Sequence, residues 1–190
     1  MIKLNLKEVA KALGQAEPRE NITFEGVSID TRTVAPGNLF VAIKGPSYDA
    51  HNFVKEAEKK GAIALVAERK VDSDLPQIIV PNTTTALGDL ASYWRSQFTI
   101  PVVGITGSVG KTTTKQMVAA ILNQCGKTLY SKENKNNYYG VPLTLFQLNS
   151  DHEYAVIEMG ADRPGEIKYL ANIVKPTVGI ITMVAPVHIE

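Results

Sequence analysis

One cysteine, Cys125, stands among the 190 residues, so the chain can form no internal disulfide. Stability must come from a buried core, which a chain of this length can supply as one large or two small domains. Cys125 sits in an apolar helical pattern, where a core role in a reducing compartment, the cytoplasm, is expected. An excess of one charge is also lacking: 20 Lys and Arg against 19 Asp and Glu give a formal net charge of +1. With those charges interspersed, there is no electrostatic footprint for nucleic acid or an anionic membrane. No apolar run is long enough to cross a bilayer, so no membrane insertion is expected. The opening residues 1–14 mix lysines and acids with apolar positions, unlike a secretory signal. Internal repeats and low-complexity tracts are absent too.

What the chain does have is Thr106-Gly107-Ser108-Val109-Gly110-Lys111-Thr112-Thr113. The residues before it, 100–105, are apolar and β-branched, as in a buried parallel strand. After it, Met117, Val118, Ile121, Leu122 and Cys125 recur at helical spacing until Gly126. A strand, a glycine turn and a helix form a phosphate cradle, because glycines let backbone N–H groups approach the anion at a helix N-terminus. Lys111 is expected to reach the outer phosphates and Thr112 to ligate Mg²⁺. One position departs from the general P-loop pattern: Ile105 stands where the first glycine belongs, and Gly104 comes one step early. The competing reading is a strand–helix turn that merely contains glycines. The lysine and the two threonines favour phosphate.

The first half begins with a capping pattern, Asn5 and Glu8, ahead of Leu6, Val9, Ala10 and Leu13, with Gly14 as the stop. Strand-like runs follow at 26–29, 39–43, 62–66 and 77–80, with a helical pattern at 52–60, giving a small α/β unit. Ser28-Ile29-Asp30-Thr31-Arg32 leaves the first of these strands. Its hydroxyls and arginine suit a diphosphate or a sugar, while an Asx/ST turn with a solvated arginine explains the same residues. His51 is equally open, and helix-start capping with solvent exposure accounts for it. Pro81-Asn82 marks a boundary. Residues 83–98 then read as one helix, with Leu87, Leu90, Ala91, Trp94 and Phe98 on its buried face.

In the second half a short strand at 127–130 leads to a polar stretch containing Asn134, Asn136 and Asn137. Gly140-Val141-Pro142 opens another apolar helix. Tyr154-Ala155-Val156-Ile157-Glu158 ends a buried strand on a carboxylate, the position of a Mg²⁺ ligand in a chain that holds a P-loop. Asp162 is expected to N-cap a helix with Pro164 in its first turn. An apolar strand at 178–184 ends near His188, which is either a metal ligand on the same rim or a surface histidine. A GTPase reading of Asp162–Gly165 and Asn134-Lys135 fails, because Asn137 replaces the required aspartate and the order along the chain is inverted.

Together these segments closely resemble the Mur ligase family. Residues 106–113 match its short ATP loop, TG[ST]xGKT[ST], which accounts for the displaced glycine. Asn136-Asn137 with Gly140 and Pro142 resembles its NNxxGxP segment, and the stretch from Ala185 to Glu190 resembles APAHLE. Glu158-Met159-Gly160-Ala161 with Pro164-Gly165-Glu166-Ile167 is similar to the stretch of the members that add D-alanyl-D-alanine. Residues 28–32, 37–40 and 49–53 resemble the domain that binds the UDP-muramoyl substrate.

The resemblance implies an α/β fold: a small N-terminal α/β substrate domain, residues 1–82, then part of a P-loop, mostly parallel-sheet ATPase domain, residues 83–190. It implies ATP and Mg²⁺ as cofactors, with UDP-N-acetylmuramoyl tripeptide and D-alanyl-D-alanine as partners in ATP-driven amide formation through an acyl phosphate. Thr106, Gly107, Ser108, Val109, Gly110, Lys111, Thr112 and Thr113 are implied to bind the nucleotide. Lys111, Asn136, Asn137, Glu158 and His188 are implied in catalysis, with Thr112, Glu158 and His188 as metal ligands. Ser28, Asp30, Arg32 and His51 are implied to bind the UDP-sugar. The family's downstream carbamylated lysine and dipeptide-receiving domain lie beyond Glu190. The chain is therefore expected to be a truncated ligase, inactive alone and prone to self-associate at an uncovered strand, whereas the full-length enzyme is expected to be monomeric. The rival expectation, from another class, is a non-catalytic UDP-sugar-binding module with a vestigial nucleotide loop.

Overall fold

The computed structural model describes residues 1–132 and 134–185, and the chain folds as two compact units, Met1–Leu90 and Ala91–Glu190. In the first unit, β1 (Lys3–Asn5) runs into α1 (Leu6–Ala12) through a complete capping box. Asn5 accepts from the Glu8 N–H, and the Glu8 carboxylate accepts from the Asn5 N–H. β2 (Thr23–Glu25) pairs antiparallel with β1. A parallel sheet of β3 (Val27–Ser28), β4 (Leu39–Val41), β5 (Ala64–Ala67) and β6 (Gln77–Ile79) follows in that spatial order. A 3₁₀ turn at Ala50–Phe53 leads into α2 (Val54–Lys59), which joins β4 to β5. Phe40, Ala42, Ala50, Val54, Ala57, Leu65 and Ala67 bury against one another. Ala50 in the turn and Ala57 on α2 contribute small side chains to this packing.

α3 (Thr83–Arg95) straddles the division between the units and stops short of the expected residue 98. Ser96 to Phe98 turn back on the helix end, where the Arg95 guanidinium donates to the Phe98 and Val174 carbonyls. Phe98 packs edge-on against Trp94, 5.2 Å between ring centroids.

The second unit is a four-stranded parallel sheet built from β7 (Val102–Thr106), α4 (Lys111–Leu122), β8 (Thr128–Tyr130), α5 (Gly140–Leu145), β9 (Tyr154–Glu158), α6 (Glu166–Val174) and β10 (Val178–Ile181). Its order is β10-β7-β9-β8, so the chain leaves β7 to one side and returns to the other. That switch in strand order opens a crevice at the carboxyl ends of the strands, where α/β folds hold ligands. Gly104 is a strand residue, not a loop residue. A Cβ there would sit 2.9 Å from the Met159 side chain and 3.0 Å from Pro176.

Three expectations are corrected. The buried face of α4 is Lys115, Val118, Ala119 and Leu122; Met117, Ile121 and Cys125 lie exposed on the far side. α6 starts at Glu166 behind a left-handed Gly165, and the Glu166 carboxylate accepts from the Asp162 N–H, so the capping roles are reversed. β10 ends at Ile181, not 184, because the following residues turn onto the glycine loop. β10 forms a sheet edge among the described residues, with Val178 and Ile181 exposed. Among those residues no helix is long and apolar enough to cross a membrane.

Candidate functional site

The carboxyl ends of β7, β8, β9 and β10 carry Thr106, Ser131, Glu158 and Thr182 side by side. Gly107 (φ +134°) and Gly110 (φ +84°) bend the loop between β7 and α4 in a way that side chains rarely allow. Gly107 is also required by contact: a Cβ would sit 2.3 Å from Thr182 Oγ1. The loop is braced from β10's end. Thr182 N–H donates to the Thr106 carbonyl, Thr182 Oγ1 donates to the Val109 carbonyl at 2.6 Å, and Ser108 N–H donates to the Met183 carbonyl. The Ser108 hydroxyl donates to the Ala185 carbonyl. Lys111 opens α4 and folds back, its Nζ 2.6 Å from the Gly107 carbonyl. The first-turn amides of α4 have no intrahelical acceptor, which together with the helix dipole makes this end receptive to an anion. Thr106 Oγ1 is buried without a hydrogen-bond partner among the described residues, a polar atom left at the loop's root.

Glu158 is the hub. Its side chain is 2% exposed, and three donors converge on the carboxylate. Thr112 Oγ1 lies 3.1 and 3.3 Å from its two oxygens, Asn136 Nδ2 lies 2.9 Å from Oε1, and Lys115 Nζ lies 3.0 Å from Oε2. The Glu158 N–H donates to Ser131 Oγ at the end of β8. Register explains the meeting, since Glu158 pairs with Ile105 and so stands level with the root of the loop. A hydroxyl and a carboxylate this close form part of a hard-cation ligand set, so Thr112 and Glu158 fit Mg²⁺. Among the described residues no group of three or more His, Cys, Asp or Glu side chains forms a metal cluster. His188 lies outside the described residues.

The structure thus brings Lys111, Thr112, Asn136 and Glu158 to one rim. Asn137 is used differently. Its Oδ1 accepts from the Tyr139 and Gly140 N–H groups at the start of α5, so that oxygen fixes the helix entry. Lys115, Ser131 and Thr182 were not foreseen. Lys115 carried a signal, because 115, 118, 119 and 122 form a helical stripe that only the lysine interrupts.

In the first unit Ser28 and Thr33 hydroxyls lie 3.0 Å apart under the loop, and the Ser28 hydroxyl donates to the Asp30 carbonyl. Arg32 is held by Asp30 through both carboxylate oxygens, with the guanidinium in solvent. Hydrogen bonds from Arg32 keep the Asp30 carboxyl below its ordinary range. His51 is buried, not exposed. Its Nε2 accepts from the Glu68 N–H at 2.8 Å and its Nδ1 lies 2.6 Å from Asp49 Oδ1, so Nδ1 carries the proton and both nitrogens are engaged. Burial works against the Asp49 charge, but hydrogen bonds from His51 and Arg69 outweigh it and bring the carboxyl down to about 2.

Comparison with known proteins agrees with this architecture. Residues 23–95 match the family profile "Mur ligase family, catalytic domain", and residues 105–190 match "Mur ligase middle domain". The whole chain is 45% identical to the UDP-N-acetylmuramoyl-tripeptide–D-alanyl-D-alanine ligase of Escherichia coli and covers 42% of it. It is 35% identical to the Bacillus subtilis enzyme of the same name, covering 43% of it. Among solved structures, MurF from Acinetobacter baumannii superposes over 100% of this chain and 42% of that one, with TM-score 0.90 and 35% identity. MurF ligase from Thermotoga maritima, solved in complex with ADP, superposes over 87% of this chain and 39% of that one, with TM-score 0.80 and 37% identity. The chain spans about two fifths of the length of these relatives.

Proposed function

Because the chain belongs to the Mur ligase family, we propose that it is the leading part of an ATP-dependent ligase joining D-alanyl-D-alanine to a UDP-N-acetylmuramoyl tripeptide. The observation that carries this reading is Thr112 against Glu158 beside Lys111, residues of a glycine loop and a strand end drawn to one rim. In the reaction the tripeptide carboxylate takes the γ-phosphoryl group of ATP, releasing ADP. The dipeptide amine then displaces phosphate from the acyl phosphate through a tetrahedral intermediate. Lys111 and the first amides of α4 hold the outer phosphates and offset charge on the transferring group. Thr112 and Glu158 are the residues that would hold Mg²⁺, which when bound neutralises phosphate charge. Asn136 orients Glu158 and Asn137 shapes the neighbouring loop.

Residues 1–82 form the substrate domain in this reading. Ser28, Asp30 and Arg32 meet the UDP portion, with the solvated guanidinium turned to a diphosphate. His51 contributes by fixing Asp49 and the chain around it. A cytoplasmic location suits an enzyme that draws on ATP and a nucleotide sugar. The exposed β10 edge supports self-association of this chain, which sedimentation at rising concentration tests.

The test of the reaction is ATP turnover by a chain of the relatives' length. Turnover that depends on both tripeptide and dipeptide supports the ligase. Binding of UDP-muramoyl tripeptide without turnover supports the non-catalytic module instead.

A further inference from the structure

Lysine is almost never fully buried without a partner, yet Lys115 is 2% exposed in the middle of α4. It follows Thr112 by one helical turn, so a hydroxyl and an ammonium from one helix reach the same carboxylate. Asn136 approaches the other oxygen. Of these three donors only Lys115 carries charge, and that charge cancels Glu158 inside the fold. A divalent cation arriving alone would have to share Glu158 with the ammonium, leaving a buried surplus of positive charge at that carboxylate. Phosphate oxygens arriving with the cation remove that surplus.

We propose that Lys115 is the resident counter-ion of the Glu158 cation site, keeping it closed to a free divalent cation and open to one that arrives with a nucleotide's phosphates. The proposal rests on the reading of Thr112 and Glu158 as cation ligands and adds an order to it. Cation and nucleotide each raise the affinity of the site for the other, by the same factor in both directions. Lys115 is a positioning residue here, acting through Glu158.

Manganese binding, read from the loss of the free Mn²⁺ resonance in electron paramagnetic resonance, tests this on the 190-residue chain. Without nucleotide the wild type is expected to take up no Mn²⁺ up to about 1 mM. With ADP it is expected to take up Mn²⁺ beyond an ADP-only control. Lys115→Met, checked for folding by circular dichroism, is expected to gain affinity for Mn²⁺ alone by about tenfold or more. Adding Glu158→Gln to that variant is expected to abolish the gain. Equal Mn²⁺ affinity of the wild type with and without ADP overturns the proposal, and so does a folded Lys115→Met chain with no gain. If Lys115→Met does not fold, the wild-type pair of titrations decides. If ADP binds under no condition in calorimetry, the nucleotide-holding role of this chain's loop fails, while the Mn²⁺ response of Lys115→Met still reports on the counter-ion.

Discussion

Arg32 and Lys115 are both cations paired with a carboxylate, and water makes them different objects. The Arg32 side chain is 84% exposed and its partner Asp30 is two residues away. Solvent offers the guanidinium an equally good alternative, so the pair shapes a loop without supporting the fold. Lys115 and Glu158 are each 2% exposed, and the other donors to Glu158 come from 46 and 22 residues away. Neither charge has water to fall back on. In the proposed reading, the first unit offers a ready, solvated contact for a ligand. The second keeps its charges occupied until a ligand brings compensating ones.

Removing one side of the buried pair breaks this contrast most directly. Glu158→Ala is expected to lower the unfolding free energy by about 3–5 kcal/mol, because Lys115 is left as an unpaired buried charge. Lys115→Met with Glu158→Leu is expected to recover most of that. Urea melts of the three chains check it, and a loss below about 1 kcal/mol in the single variant makes the pair no different from a surface one.

In the first unit His51 is a buried polar node. His51→Ala strands the Glu68 N–H and removes a donor from Asp49, an expected cost of about 1–3 kcal/mol in the same assay. Lys111→Ala should leave the unfolding midpoint in place and weaken ADP binding about 10- to 100-fold, since it removes a charged donor from the anion site. Calorimetry reads this directly, and unchanged affinity removes Lys111 from the site.

Asp49 gives a pH signature. Its carboxyl is lowered from 3.8 to about 2, so its contribution is fully present above about pH 4. It is lost as pH falls through about 2. Asp49→Asn should therefore flatten the acid limb of the stability profile, and an unchanged limb rules the node out as its source. The smallest effect is expected at Arg32. Arg32→Ala should leave the melting curve superimposable on the wild type while weakening UDP binding, which an amide NMR titration around Ser28 and Arg32 follows.

Much of the second unit was legible along the chain, because its signals are local. Glycines at 107 and 110, the lysine and threonines that follow, and a carboxylate closing an apolar strand each carry their meaning within a few residues. The same holds for the Asn5 capping box and the α/β alternation of both units. Tertiary structure alone decided which atoms meet. Parallel register set Glu158 level with the loop, the α4 crossover turned Lys115 inward, and the turn after Ile181 carried Thr182 onto the Val109 carbonyl. Likewise, whether His51 was a solvated cap or a buried bridge depended on Glu68, 17 residues away. The physical reason is the same in each case. Local pattern fixes backbone geometry, whereas burial and charge pairing depend on neighbours that only the folded sheet supplies.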